Sequence, residues 1–118
     1  MSKQGSASKP APSIKRYTML NNRNRRPSHP GAVLGDFLPD SGLTQTDLAR
    51  LTGVSRRTIN EIINERRPVT VDMAHRLSCV FGTSPELWLN LQRDVDIWDT
   101  LEAHRKEYEK IKRAARAA

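Results

Sequence analysis

Two helix starts eleven residues apart, with a glycine between them, constrain this chain more than any other feature. Thr44 is a good N-cap, and Asp47 three residues on supplies the acidic partner of a capping-box-like start. Leu48, Ala49 and Leu51 follow as an apolar stripe, and Gly53 stops the helix. Ser55 then caps a new helix at once. The spacing predicts helices over 44–52 and 55–64, joined by Thr52-Gly53-Val54. Helices this short, separated by a turn this tight, must cross rather than run on, which is the arrangement of a helix-turn-helix. Ile59, Ile62 and Ile63 face inward with Val54, and Ala49 is small enough to let the second helix approach.

From Pro30 onward the remaining pattern is also helical, with no alternating strand signal. Pro30 at a first-turn position and Val33, Leu34, Phe37 and Leu38 on one face predict a first helix ending near Pro39. Thr70 caps a helix with Met73, Ala74, Leu77 and Phe81 at helical spacing, ended by Gly82. Ser84, with Pro85 behind it, opens a long last helix. Trp88, Leu91, Val95, Trp98, Leu101, Tyr108 and Ile111 follow three- and four-residue steps along it. Trp88 is expected in the core and Trp98 nearer a dimer contact. The expectation is an all-α, five-helix domain over 28–104, followed by a charged helical extension or tail over 105–118.

Length and charge narrow the function. With 118 residues there is room for one domain, and no stretch approaches the roughly 18 apolar residues of a membrane span. No apolar leader stands at the start, and the lone Cys79, read as a small buried residue, has no disulfide or metal partner. A reducing, cytoplasmic setting is the expectation. The net charge is +7, and residues 1–30 account for all of it: seven Lys or Arg and no acid. The remainder is neutral on balance. Residues 1–27 are rich in Ser, Pro, Asn and basic side chains, too poor in apolar surface to offset the cost of ordering a backbone. They read as a disordered basic tail, either adding nonspecific attraction to phosphates or serving only as a solubilising leader. Within the neutral part, residues 50–67 hold five Arg against Glu61 and Glu65, whereas 86–102 hold Arg93 against five acids.

The second helix of the pair leaves Ser55, Arg56, Arg57, Thr58, Asn60 and Glu61 facing out. Those side chains suit a DNA major groove: Arg to guanine, Asn to adenine, Glu to the cytosine amino group. Glu61 has a second reading, an i,i+4 pair that orients Arg57. Gln45 is placed to touch a phosphate. His29, His75 and His104 are too scattered for a metal site, and no His, Cys or carboxylate set has triad or metal spacing, so neither enzyme nor cofactor is expected.

The stretch LTQTDLARLTGVSRRTINEIINERRPVT (43–70) resembles the Xre/Cro-type helix-turn-helix regulators, whose domain is lambda-repressor-like. Within that group, HPGAVLGDFL (29–38), GVSRRTINEIINERRPVT (53–70) and DMAHRLSCVFGTSPELWLNLQRDVDI (72–97) are similar to the HigA-type antitoxins of toxin–antitoxin modules. The similarity spans roughly 28–100 and is most specific at FGTSPELWLNLQ (81–92). It implies a homodimer that represses its module's promoter by binding operator DNA and neutralises a HigB toxin, an mRNA-cleaving ribonuclease of the RelE type. It also implies a phosphate contact at Gln45, base readers among Ser55, Arg56, Arg57, Thr58, Asn60 and Glu61, and further contacts at Asn64, Arg66 and Arg67. A stand-alone regulator of this fold, or a partner-binding module that no longer binds DNA, are the rival readings.

Overall fold

The structure, a computed structural model, describes residues 25–114. Five helices follow one another: α1 Pro30–Ser41, α2 Gln45–Thr52, α3 Arg56–Ile63, α4 Val71–Phe81 and α5 Pro85–Glu109. No strand occurs among the described residues. The reading of residues 1–24 as disordered lies outside them.

Each helix begins on a side chain that accepts a first-turn N–H, as the orphan donors of a helix start require. Thr44, Ser55, Thr70 and Ser84 cap α2 to α5, and Thr44 and Asp47 complete a reciprocal capping box. The cap of α1 is His29, whose Nδ1 accepts the Gly31 N–H at 2.8 Å. Leu34, Leu48, Ile59, Ile62, Leu77 and Trp88 are fully buried and form the core. Phe37 stands edge-on to both Phe81 and Trp88, with centroids 5.3 and 5.4 Å away, so α1, α4 and α5 meet in one aromatic cluster. Trp88 Nε1 donates to Thr83 Oγ1 at 2.8 Å, which satisfies its buried indole.

The structure corrects four expectations. α1 runs through Pro39 to Ser41; Pro39 is exposed, and buried Leu38 with the left-handed cap at Gly42 holds the last turn despite the missing donor. Leu51 is half exposed, and Thr52 takes the inward place one turn after Leu48. Its hydroxyl donates to the Leu48 carbonyl at 2.7 Å, so a polar residue is buried without an unmet hydrogen bond. Cys79 is exposed rather than buried, because it lies about 200° around α4 from Leu77. Ile111 falls beyond α5 and is exposed; the helix departs from helical geometry at His104 and ends at Glu109. Trp88 is core as expected, and Trp98 is half-buried.

Candidate nucleic-acid interface

The turn between α2 and α3 depends on Gly53, whose φ of 77° lies in the left-handed region. Its N–H returns to the Ala49 carbonyl at 2.9 Å. A second clamp comes from α4: Arg76 Nη1 donates to the Thr52 carbonyl at 2.7 Å, and Asp72 holds the same guanidinium at 2.8 Å. Arg76 was missed in the sequence, although its i,i+4 spacing from Asp72 signals a constrained arginine. Behind α3, α1 approaches backbone to backbone at Gly31: a Cβ there would lie 1.8 Å from the Ile62 carbonyl oxygen.

With Ile59 and Ile62 anchored in the core, the opposite face of α3 is open to solvent. The ten residues singled out in the sequence lie on α2, on α3 and its caps, and in the loop after α3, and divide into four groups. Ser55 and Thr58 are engaged in the helix cap: Ser55 Oγ accepts the Thr58 N–H at 3.0 Å and lies 2.9 Å from the Thr58 hydroxyl. Gln45, Asn60 and Asn64 form an amide chain. Asn60 Nδ2 donates to Gln45 Oε1 at 3.2 Å, and Asn64 Nδ2 donates to the Asn60 carbonyl and Oδ1 at 2.9 and 3.2 Å. Glu61 is the centre of an ionic group. Its carboxylate accepts from Arg57 Nε at 3.0 Å and from Arg67 Nε and Nη2 at 2.9 and 2.7 Å. These guanidinium groups, Arg67 foremost, hold the Glu61 carboxyl below the usual carboxylate range. Of the two readings of Glu61, the orienting pair is therefore present in the free protein, and it engages Arg67 as well as Arg57.

Arg56 and Arg66 form the last group. Both side chains are exposed and make no hydrogen bond or ion pair among the described residues. Arg66 lies in the loop after α3, next to Glu65, a non-glycine residue at φ 62°. Such a conformation costs about 1 kcal/mol and needs support. Arg26 supplies it: Nη1 donates to Glu65 Oε1 at 2.8 Å, while Nε and Nη2 fork onto the Asp99 carboxylate at 2.7 and 2.8 Å. Ordered contacts thus begin upstream of the boundary expected at residue 28. No pattern local to residue 26 signals a partner 73 positions away.

A helix-turn-helix family profile matches residues 40–88. The antitoxin HigA-1 of Vibrio cholerae is 36% identical over 94 residues, which cover 79% of this chain and 89% of that protein. The chain belongs to the HigA-type antitoxin family. An HTH-type transcriptional regulator of Haemophilus influenzae is 41% identical over 86 residues, covering 72% of this chain and 78% of its own. The solved HigA of Pseudomonas aeruginosa with the higBA promoter is 38% identical and superposes with a TM-score of 0.71, covering 74% of this chain and 97% of that one. Among the described residues no helix is long and apolar enough to cross a membrane, and no group of three His, Cys, Asp or Glu is placed to hold a metal.

Proposed function

We propose that this chain is the repressor-antitoxin of a toxin–antitoxin module: as a homodimer it binds an inverted-repeat operator in its own promoter, and it neutralises a HigB/RelE-type ribonuclease. The observation that carries the reading is the open α3 face, where a free Arg56 stands in the first turn of a helix whose back is locked in the core. Two such helices, roughly 34 Å apart in a two-fold dimer, meet successive major grooves. Arg56, Arg57, Asn60 and Glu61 discriminate bases, directly or through the pairs they make. Ser55 and Thr58 set the first turn against the groove. Gln45, Asn64, Arg66 and Arg67 hold phosphates on either side and supply most of the affinity. The working unit is the domain over 28–104, extended upstream by Arg26, with 105–118 as a charged extension.

Fluorescence anisotropy with the gene's own upstream DNA tests the reading. Arg56→Ala weakens operator binding by about 1–3 kcal/mol and binding to random DNA far less, whereas Arg66→Ala weakens both alike. Equal losses on both DNAs for Arg56→Ala would refute the assignment of base reading to α3. The Haemophilus relative, named as an HTH-type transcriptional regulator, supports a second reading without a toxin. Co-purification with a small basic ribonuclease encoded next to the gene separates the two.

A further inference from the structure

We infer that Glu65, through Arg26, anchors the loop after α3 to α5 and so sets the position from which Arg66 and Arg67 meet the DNA backbone. The inference rests on the operator-binding reading and adds two positioning residues to it. Local chemistry does not call for a glutamate at 65. α3 closes with two crossing bonds, from the Glu65 N–H to the Ile62 carbonyl at 3.0 Å and from the Arg66 N–H to the Glu61 carbonyl at 2.8 Å. A helix end closed in this way needs a left-handed residue where Glu65 stands, at φ 62°. Glycine fills such a place without strain, as Gly53 and Gly82 do at the ends of α2 and α4. A glutamate gives the backbone nothing that glycine would not give better, so its use lies in the side chain.

That side chain is tied to α5. Glu65 Oε1 accepts from Arg26 Nη1 at 2.8 Å, and the same guanidinium forks onto Asp99 through Nε and Nη2 at 2.7 and 2.8 Å. The far end of the loop is tied to the same helix. The Val69 N–H donates to Oε1 of the buried Gln92 at 2.8 Å, and Gln92 Nε2 donates to Asp96 at 3.0 Å. Gln92 and Asp99 are seven residues apart, two turns along one face of α5. Arg66 and Arg67 stand between the two ties, and Pro68 fixes one φ of the short span. The Arg66 side chain is exposed and makes no hydrogen bond or ion pair among the described residues, so its aim is set by its backbone alone. A cation on an untied loop must be ordered when it binds, a cost in entropy that a held loop avoids. Arg26 also neutralises a carboxylate that would otherwise repel phosphates beside Arg66.

The test compares E65G with E65Q in the full chain, on the gene's own upstream DNA. Both variants lose the same charge. Glutamine keeps an acceptor of the same length for Arg26, whereas glycine drops the anchor and relieves the left-handed strain. Each phosphate contact contributes about 0.9 to the slope of log affinity against log salt. E65G is expected to bind operator about ten-fold more weakly than E65Q, with a slope shallower by about 1–2 as one or both loop contacts are released. A role confined to stability would separate the two variants in melting temperature and leave affinity and slope alike. In an R66Q/R67Q background, E65G and E65Q are expected to bind alike, because the anchor then has nothing to aim. E65G that matches E65Q in affinity and slope overturns the inference. A gap that persists in the R66Q/R67Q background overturns the route through those two arginines. An R66Q/R67Q protein with the wild-type slope removes the phosphate role of the loop, and the anchor's with it. Wild type that binds no upstream DNA removes the repressor reading as well, an outcome distinct from the others because sequence preference is then absent.

Discussion

Replacing Gly31 by alanine tests how the recognition helix is held from behind. The added Cβ would lie 1.8 Å from the Ile62 carbonyl oxygen and 2.8 Å from its carbon, where ordinary contact begins near 3.4 Å. Both obstacles are main chain in packed helices, so no side-chain rotation relieves them. α1 must retreat by about 1.5 Å, which strains α3 and opens space beneath Leu34 and Leu38. Overpacking against atoms that cannot yield costs about 3 kcal/mol, the upper part of the usual range. The better helix propensity of alanine returns about 1 kcal/mol. A net loss of about 2 kcal/mol lowers the melting temperature of a domain this size by about 8–16 °C. Gly35 is the control on the same helix: its Cβ would meet only Ile63 Cγ2 at 3.6 Å. Gly35→Ala should therefore gain about 0.5–1 kcal/mol, or about 2–8 °C. Circular dichroism melts at one fixed protomer concentration compare the variants, because association shifts the midpoint. A Gly31→Ala protein melting with or above wild type, or the two variants shifting in the same direction, would show that α1 and α3 do not touch along their backbones.

Burial pushes the His29 pKa down, and its Nδ1 can accept the Gly31 N–H only while unprotonated. The unfolded chain takes up that proton first, so stability is full above about pH 6.5 and falls as pH drops toward the lowered folded value. Urea unfolding at a series of pH values should show this slope, and His29→Asn, which keeps a cap acceptor, should flatten it; an unchanged slope would assign the pH dependence elsewhere. Glu61→Gln removes the charge that holds Arg57 and Arg67, so affinity for random DNA should rise while the operator-to-random ratio falls, measured by anisotropy at one salt concentration. A ratio that stays constant would count against an orienting role. Cys79 in the native protein should react with a thiol reagent at nearly the rate of the urea-unfolded chain, and strong protection would contradict its placement on the outer face of α4.

The elements that were legible in the sequence are those written in local chemistry. A Ser or Thr cap followed by an apolar repeat, and a glycine at the far end, fixed the starts of α2 to α5 and the stops at Gly53 and Gly82 because each capping bond spans three or four residues. The outward face of α3 was legible for the same reason: Ile59 and Ile62 define its back. Which apolar residue turns inward was harder to read, since Leu51 and Thr52 exchange the roles their hydropathies suggest once the threonine hydroxyl bonds its own helix. Tertiary polar contacts were not legible at all. Arg26 meets Asp99 across 73 positions, Arg76 meets Thr52 across 24, and the buried Gln92 accepts the Val69 N–H across 23. None of these pairings leaves a periodic trace. Gly31 belongs with them, because a missing Cβ signals a close approach only once the other backbone is in place.

The pairing of charges explains how residues 31–118, neutral on balance, can serve as a DNA reader. Three arginines, Arg26, Arg57 and Arg67, are held by Asp99, Glu65 and Glu61, whereas the side chains of Arg56 and Arg66 make no hydrogen bond or ion pair among the described residues. Exposed ion pairs of this kind contribute little to stability. A phosphate or a guanine edge offers more than that to an arginine, so the Glu61 pairs can be exchanged on binding at little cost. Until then they keep two long side chains from wandering and limit attraction to arbitrary DNA. The Arg26 contacts differ: a fork to one carboxylate plus a third bond to another supports a left-handed residue, Glu65, and gains nothing by opening. On the proposed reading, the Glu61 pairs are the ones given up to the duplex, and the Arg26 contacts are the ones that persist and hold the loop that carries Arg66.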